Sequence, residues 1–300
     1  MLGPTASGKS EIAAALAKLS GSEIISVDSM QVYRGMDIGT AKPSIGDRAD
    51  VPHHMIDVVE PASAYSVAEY QEDARAALHA VERRGAPVVI AGGSGLHFRS
   101  LVDPLDFPPH DPDVRGELES LDNAEAVAAL EAIDSEAGRR VDLANPRRVV
   151  RALEIHRLTG DTPGDRARTP DAVAVAEYRA AVPFVAVGLD PGDELADRVE
   201  RRMDAMLAAG FVDEVAALLP RLGPTAREAV GYKQLIPVVE GTVTASQGRR
   251  QAIRATLALA KRQRTFFRRD PRIRWLPWND DPGARLSAAL AALEELRWTS

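Results

Sequence analysis

Hydrophobic positions along this chain follow changing spacings, and the changes mark out its elements. Ile12, Leu16 and Leu19 recur every three or four residues, the spacing of one helical face. Residues 24–27 form a short apolar run that predicts a buried strand ending at Asp28. Ser66-Val67-Ala68-Glu69 has the spacing of a capping box, so a helix should open there and stop near Gly85-Ala86-Pro87. Residues 88–91 predict a second buried strand, running into Gly92-Gly93-Ser94-Gly95, and residues 184–189 a third. Strands alternating with helices imply an α/β fold whose parallel sheet is covered on both faces.

The alternation stops between residues 105 and 183. Asp111-Pro112 and Asn145-Pro146 each set a capping residue before a proline at the first helical position, and Thr159-Gly160 closes the second of these helices. This stretch is expected to be a helical insertion, 105–183, in a core made of 1–104 and 184–300. Past it, one helix should end at Gly210, and another, opened by Thr244-Ala245-Ser246-Gln247, should continue to about Arg268. The chain shows no internal repeat.

Composition narrows the function classes. With no cysteine, disulfides, thiolate metal sites and a cysteine nucleophile are excluded, and a reducing compartment fits. No apolar run approaches the roughly 18 residues of a membrane span. No basic and then apolar leader opens the chain, so a cytoplasmic protein without a membrane partner is expected. The net charge of −7 argues mildly against a nucleic-acid partner, but its distribution reverses that. Residues 249–274 hold ten basic side chains against Asp270 alone, and residues 139–157 hold six against Asp142 and Glu154. Two basic segments on an acidic chain suggest a local polyanion site.

Gly3-Pro4-Thr5-Ala6-Ser7-Gly8-Lys9-Ser10 matches G-x-x-x-x-G-K-[ST], and one of only five lysines falls on its lysine position. In such a loop the backbone N–H groups close around phosphate oxygens, the following helix presents its positive end, the lysine adds a point charge, and the serine can ligate Mg2+. The motif binds a di- or triphosphate without saying whose. Asp28 should sit at the carboxyl end of its strand, where open α/β sheets place their ligand crevice, although a turn-forming aspartate fits the position too. Ser94 should reach the same crevice, as a phosphate-binding hydroxyl or as a turn residue. On a helix, Arg250, Arg254, Lys261, Arg264 and Arg268 fall within an arc of about 80°, beside an apolar seam of Ile253, Leu257, Ala260 and Phe267. The stripe contains no acids for i,i+4 pairing, which favours contact with an RNA backbone over a solvated face. His53 and His54 lack further ligand spacing for a metal.

Several segments together resemble the tRNA dimethylallyltransferase (tRNA isopentenyltransferase) family. They are the loop just described; the run from Ser26-Val27-Asp28-Ser29-Met30-Gln31 to Ile38-Gly39-Thr40-Ala41-Lys42-Pro43; Pro52-His53-His54-Met55-Ile56-Asp57; Tyr65-Ser66; Asn145-Pro146-Arg147-Arg148 with Arg151-Ala152-Leu153-Glu154; Val230-Gly231-Tyr232; and Ala260-Lys261-Arg262-Gln263-Arg264-Thr265. The resemblance spans nearly the whole chain. It implies a P-loop NTPase-like core in which Gly3, Thr5, Ala6, Ser7, Gly8, Lys9 and Ser10 hold the diphosphate of dimethylallyl diphosphate rather than ATP, with Mg2+ on Ser10. It implies Asp28 as general base for the N6 amine of the adenosine 3′ of the anticodon. Ser94, where the family more usually has Thr, and Lys233, where many members have Arg, would assist the leaving diphosphate. Lys233 keeps the charge but loses the bidentate fork, and His97 replaces a usual Tyr. A tRNA anticodon stem-loop would meet Asp28, Ser29, Met30 and Gln31, then Asn145, Arg147 and Arg148, and Lys261, Arg264 and Arg268, with Arg115 a further candidate. The helical arc adds Arg254.

A monomer is expected. Only Met1 and Leu2 precede Gly3, whereas a P-loop normally follows a full central strand, so a start farther upstream is expected. Two other classes remain open on sequence grounds: a small-molecule or nucleotide kinase using the loop for ATP, and an RNA-binding protein that uses nucleotide as a switch.

Overall fold

The computed structural model describes residues 1–298. It divides into two compact units, one made of Met1–Val102 with the chain from Pro183 onward, the other of Asp103–Val182.

The first unit is built on parallel strands. β1 (Glu23–Val27) pairs on one side with β2 (His53–His54) and on the other with β3 (Val88–Gly92), the latter in register from Glu23 opposite Val88 to Val27 opposite Gly92. β4 (Ala186–Gly188) pairs with β5 (Ile273–Trp275). Leu2 joins the two groups, bridging to Gly92 and to Gly188. Its N–H donates to the Val187 carbonyl at 3.0 Å, and its own carbonyl accepts from Leu189 N–H at 2.9 Å. The Met1 nitrogen donates to the Ile90 carbonyl at 2.7 Å. β1 and β3 lie where the apolar runs predicted them. The third predicted run, 184–189, contracts to three residues, and β2 and β5 are too short to leave a pattern.

Helix Lys9–Ser20 covers one face of the sheet. Ile12, Ala13, Leu16 and Ala17 pack with Ile24, Ala91, Val187 and Leu189 in one cluster, whereas Leu19, expected on that face, is 66% exposed. Both reciprocal bonds of the capping box form at Ser66/Glu69, opening helix Val67–Arg83, and at Thr244/Gln247, opening the basic helix Ala245–Phe267. The predicted seam of that helix buries Ile253, Ala260 and Phe267, with Ala252 and Gly248 added and Leu257 half-buried.

The second unit is helical with its own core. Leu118, Ala126, Leu130, Val149, Val150 and Leu153 come together from helices Pro112–Glu119, Asn123–Ile133 and Pro146–Thr159. Asp111 caps the first of these through Asp113 and Val114 N–H; Asn145 stands at the N-cap of the third without using its side chain. Among the described residues no helix is long and apolar enough to cross a membrane.

Candidate functional site

The P-loop bends sharply before its helix. Ala6 (φ 61°) and Gly8 (φ 76°) take left-handed conformations. At Gly8 a Cβ would also crowd the guanidinium nitrogens of Arg285 and Arg198, at 3.3 and 3.4 Å. The turn delivers Lys9 inward, where its ammonium donates to the Pro4 carbonyl at 3.1 Å. Burial, then Arg202, lowers its pKa to about 8, with Asp28 opposing.

Thr5, Lys9 and Ser10 line a cavity of about 130 Å³ shared with Asp28, Met30, Gln31, Arg202 and Gln263. Met203, Met206, Phe211, Val230 and Leu259 give it an apolar wall. Of the other loop residues predicted to hold phosphate, Gly3, Ala6, Ser7 and Gly8 shape the turn without lining this cavity; Ala6 and Gly8 line a larger one of about 730 Å³ outside it. Thr5 N–H donates to Gln263 Oε1 at 2.8 Å, so the basic helix is tied directly to the loop.

Asp28 sits just past the carboxyl end of β1. Its Oδ1 accepts from Met30 N–H (2.9 Å) and Gln31 N–H (3.3 Å), the arrangement of a turn aspartate, while the residue still lines the cavity. Both sequence readings of this position therefore describe the same side chain.

Arg202 was not singled out in the sequence. It projects from helix Leu195–Ala208, lines both the inner and the outer cavity, and makes no hydrogen bond or ion pair among the described residues. Burial lowers its pKa, opposed by Asp28. An arginine beside Arg201, in a helix that also carries Asp197, Glu200 and Asp204, resembles a surface residue, so no sequence signal set it apart. Gln263 lies inside the run Ala260-Lys261-Arg262-Gln263-Arg264-Thr265 that carries the family resemblance.

Two expected members are turned elsewhere. The Ser94 hydroxyl lies 2.7 Å from His97 Nδ1 and does not line the cavity. Burial lowers the pKa of His97 to about 4, with Asp28 opposing, so the ring is a neutral hydrogen-bond partner. Lys233 does not line the cavity either; its exposed ammonium lies 2.5 Å from Glu228. The five-residue offset to Glu228 brings the two together where helix Tyr232–Val239 begins.

The basic stripe is split. Arg254 and Lys261 are exposed, without ion-pair partners among the described residues. Arg264 and Arg268 instead hold the two oxygens of Asp190 at 2.6 and 3.0 Å, and Arg268 also stands over the Trp275 ring. Burial pushes the Asp190 carboxyl up, but hydrogen bonds from both arginines and from Gly192 N–H hold it below the usual range. Arg249, off the stripe, pairs with Asp204. Ser29 is half-buried, and the Gln31 amide is engaged with Ser26 and the Thr40 carbonyl.

In the helical unit, Arg115, Arg140, Arg147, Arg148, Arg151 and Arg166 line an open cavity of about 670 Å³ together with Asn145. Buried Glu154 anchors this bowl: it accepts from Arg151 at 2.7 Å and from Asp111 N–H at 3.1 Å, and meets His110 at 2.5 Å and Arg115 at 3.7 Å. Arg148 approaches Asp142 at 3.6 Å, whereas Arg147 has no ion-pair partner among the described residues. No group of three or more His, Cys, Asp or Glu side chains is arranged to hold a metal among the described residues.

The family model described as IPP transferase matches residues 31–270. The chain is 43% identical to the tRNA dimethylallyltransferase of Acidothermus cellulolyticus over 309 residues, covering all of this chain and 94% of the relative. It is 41% identical to that of Bifidobacterium adolescentis over 286 residues, 92% of this chain and 83% of the other. The full-length tRNA isopentenylpyrophosphate transferase of Bacillus halodurans superposes with a TM-score of 0.69 at 34% identity, covering 98% of this chain and 95% of that one. A eukaryotic dimethylallyltransferase described as acting on tRNA gives a TM-score of 0.79 over 95% of this chain and 76% of its own, and at 24% identity shows the fold alone. With a family match over most of its length and relatives above 40% identity covering nearly all of it, the chain belongs to the IPP transferase family.

Proposed function

We propose that this chain transfers the dimethylallyl group of dimethylallyl diphosphate to the N6 amine of the adenosine 3′ of the anticodon in tRNA. The observation that carries this reading is one cavity that joins Lys9, Arg202 and Asp28 to an apolar wall. The cations suit a diphosphate, the wall suits a five-carbon chain, and the carboxylate suits an amine about to lose a proton.

In the reaction the bond from prenyl C1 to the diphosphate oxygen breaks as the adenine N6–C1 bond forms. Negative charge grows on the leaving diphosphate, where Lys9, Arg202 and the free N–H groups at the start of helix Lys9–Ser20 stabilise it. Asp28 Oδ1 is occupied by two backbone donors, so Oδ2 takes the amine proton. Met203, Met206 and Phe211 keep water from the cationic carbon. The Ser10 hydroxyl, opening into the same cavity, suits a Mg2+ ion shared with substrate phosphates, since that ion is usually held by few protein ligands. When bound, Mg2+ would neutralise part of the diphosphate charge. Ser94 and Lys233 do not line this cavity.

The arginine bowl and the exposed Arg254 and Lys261 supply phosphate contacts for an anticodon stem-loop. Unstacking the target base costs a few kcal/mol, which those contacts offset. Purified protein mixed with labelled dimethylallyl diphosphate should pass label to tRNA and release diphosphate in equal amount. Phosphoryl transfer from ATP, with no prenyl transfer, would replace this reading with a kinase.

A further inference from the structure

One wall of the cavity is the loop that follows Asp28, and a carboxylate holds the backbone of that loop from behind. Glu214, on helix Phe211–Leu218, accepts four hydrogen bonds. The N–H groups of Asp37 and Ile38 reach Oε2 at 3.0 and 2.7 Å; Gly39 N–H and the Tyr232 hydroxyl reach Oε1 at 3.1 and 2.5 Å. Gly39 makes the approach possible, because a Cβ there would lie 2.3 Å from the Phe211 ring and 2.4 Å from that of Tyr232. Burial, reinforced by Glu214, pushes the Tyr232 phenol far above its usual pKa, so it remains a donor.

The grip is relayed onward. The next two carbonyls, of Thr40 and Ala41, accept from Gln31 Nε2 at 3.2 and 3.5 Å. Gln31 Oε1 accepts from the Ser26 hydroxyl at 2.8 Å, which fixes the amide from its other side. The backbone N–H of Gln31, with that of Met30, then clamps Asp28 Oδ1.

We propose that Glu214 is a positioning residue for the base: it sets loop 37–41, the loop sets Gln31, and Gln31 with Met30 fixes the orientation of the Asp28 carboxylate. This rests on the reading of Asp28 as base. Isosteric Glu214→Gln should already break the relay. A glutamine keeps one accepting oxygen and presents an NH2 donor to N–H groups that need acceptors, so at least one side of the loop is repelled. Misplacement of a reacting group by about 1 Å can cost on the order of 10²-fold in rate.

The test combines single-turnover transfer to tRNA with separate measurements of donor affinity, tRNA affinity and melting temperature. Glu214→Gln is expected to slow transfer about 10- to 100-fold while both dissociation constants stay within about threefold. Tyr232→Phe, which removes one donor of four and keeps the ring, should slow it about two- to fivefold. The decisive readout is the double variant. If Glu214 acts through Asp28, Glu214→Gln should change the residual rate of an Asp28→Ala protein by less than about twofold. An equal loss in both backgrounds, or a wild-type rate in Glu214→Gln, overturns the inference and leaves the proposed function standing. So does a variant whose melting temperature and affinities fall while its rate at saturation holds. Failure of the unmodified protein to transfer the prenyl group at all overturns the functional reading and the relay with it.

Discussion

Beside the P-loop, Lys9 and Arg202 stand in a cavity of about 130 Å³, and the carboxylate nearest in function, Asp28, has one oxygen committed to backbone N–H groups. In the helical unit, six arginines line an open cavity of about 670 Å³, and Arg115, Arg140, Arg148, Arg151 and Arg166 already lie beside carboxylates. The first arrangement concentrates few charges in a desolvated place, where they cost stability until an anion arrives and interact strongly once it does. The second spreads many charges where water and salt screen them, which suits a long polyanion and lets the buried Glu154 fix arginine geometry without cancelling the whole patch. Under the proposed function, the pocket suits a small diphosphate and the surface a nucleic-acid backbone.

The comparison breaks first at Lys9. Lys9→Ala should lower turnover by about 10²–10³-fold, as for loss of one leaving-group stabiliser. Arg202→Ala should fall in the same class, and either variant at near-normal single-turnover rate would remove the cavity from the chemistry. tRNA affinity, measured in parallel, should hardly change.

A pH series sharpens it next. Free Lys9 titrates at about 8. Bound diphosphate favours the charged ammonium, so donor affinity should be nearly pH-independent between about 7, where the diphosphate is already fully ionised, and that value. Above it affinity should fall by up to about tenfold per unit, and binding should take up a proton. Calorimetry at pH 7.5 and 9.5, in buffers of different ionisation enthalpy, checks both. A flat profile without proton uptake would mean that Lys9 either does not meet the donor or keeps its charge across this range.

The arginine bowl should respond to salt instead. Arg147→Ala and the exposed Arg254→Ala should each reduce the slope of log affinity for tRNA against log salt by about 0.7–0.9, leaving donor affinity unchanged. Arg264→Ala and Arg268→Ala should change the slope less, because Asp190 already holds both side chains. A smaller effect still is expected of Lys233→Ala. Its exposed pair with Glu228 predicts turnover within about twofold of wild type, and a larger loss would show that the lysine reaches the diphosphate after all.

What the sequence made legible was local. β1 and β3 announced themselves as apolar runs, the capping boxes at Ser66 and Thr244 formed as spaced, and the P-loop and Asp28 arrived at one cavity. What stayed hidden depends on partners far along the chain. Arg264 and Arg268 looked free because no acid stands three or four residues from either, yet Asp190, more than seventy residues earlier, sits between them. Arg202 looked like surface charge until its helix packed it inward. Glu214 has no local signal either, since all four of its donors come from other elements. Ser94 kept its hydroxyl, but the neighbouring His97 captured it. A strand of two or three residues, as at His53 or Ile273, has no periodicity to detect.

The most direct test of the account is single-turnover transfer by Asp28→Ala at saturating donor and tRNA. Loss of at least about 10²-fold is predicted, with both dissociation constants close to wild type. Transfer at a near-wild-type rate would contradict it.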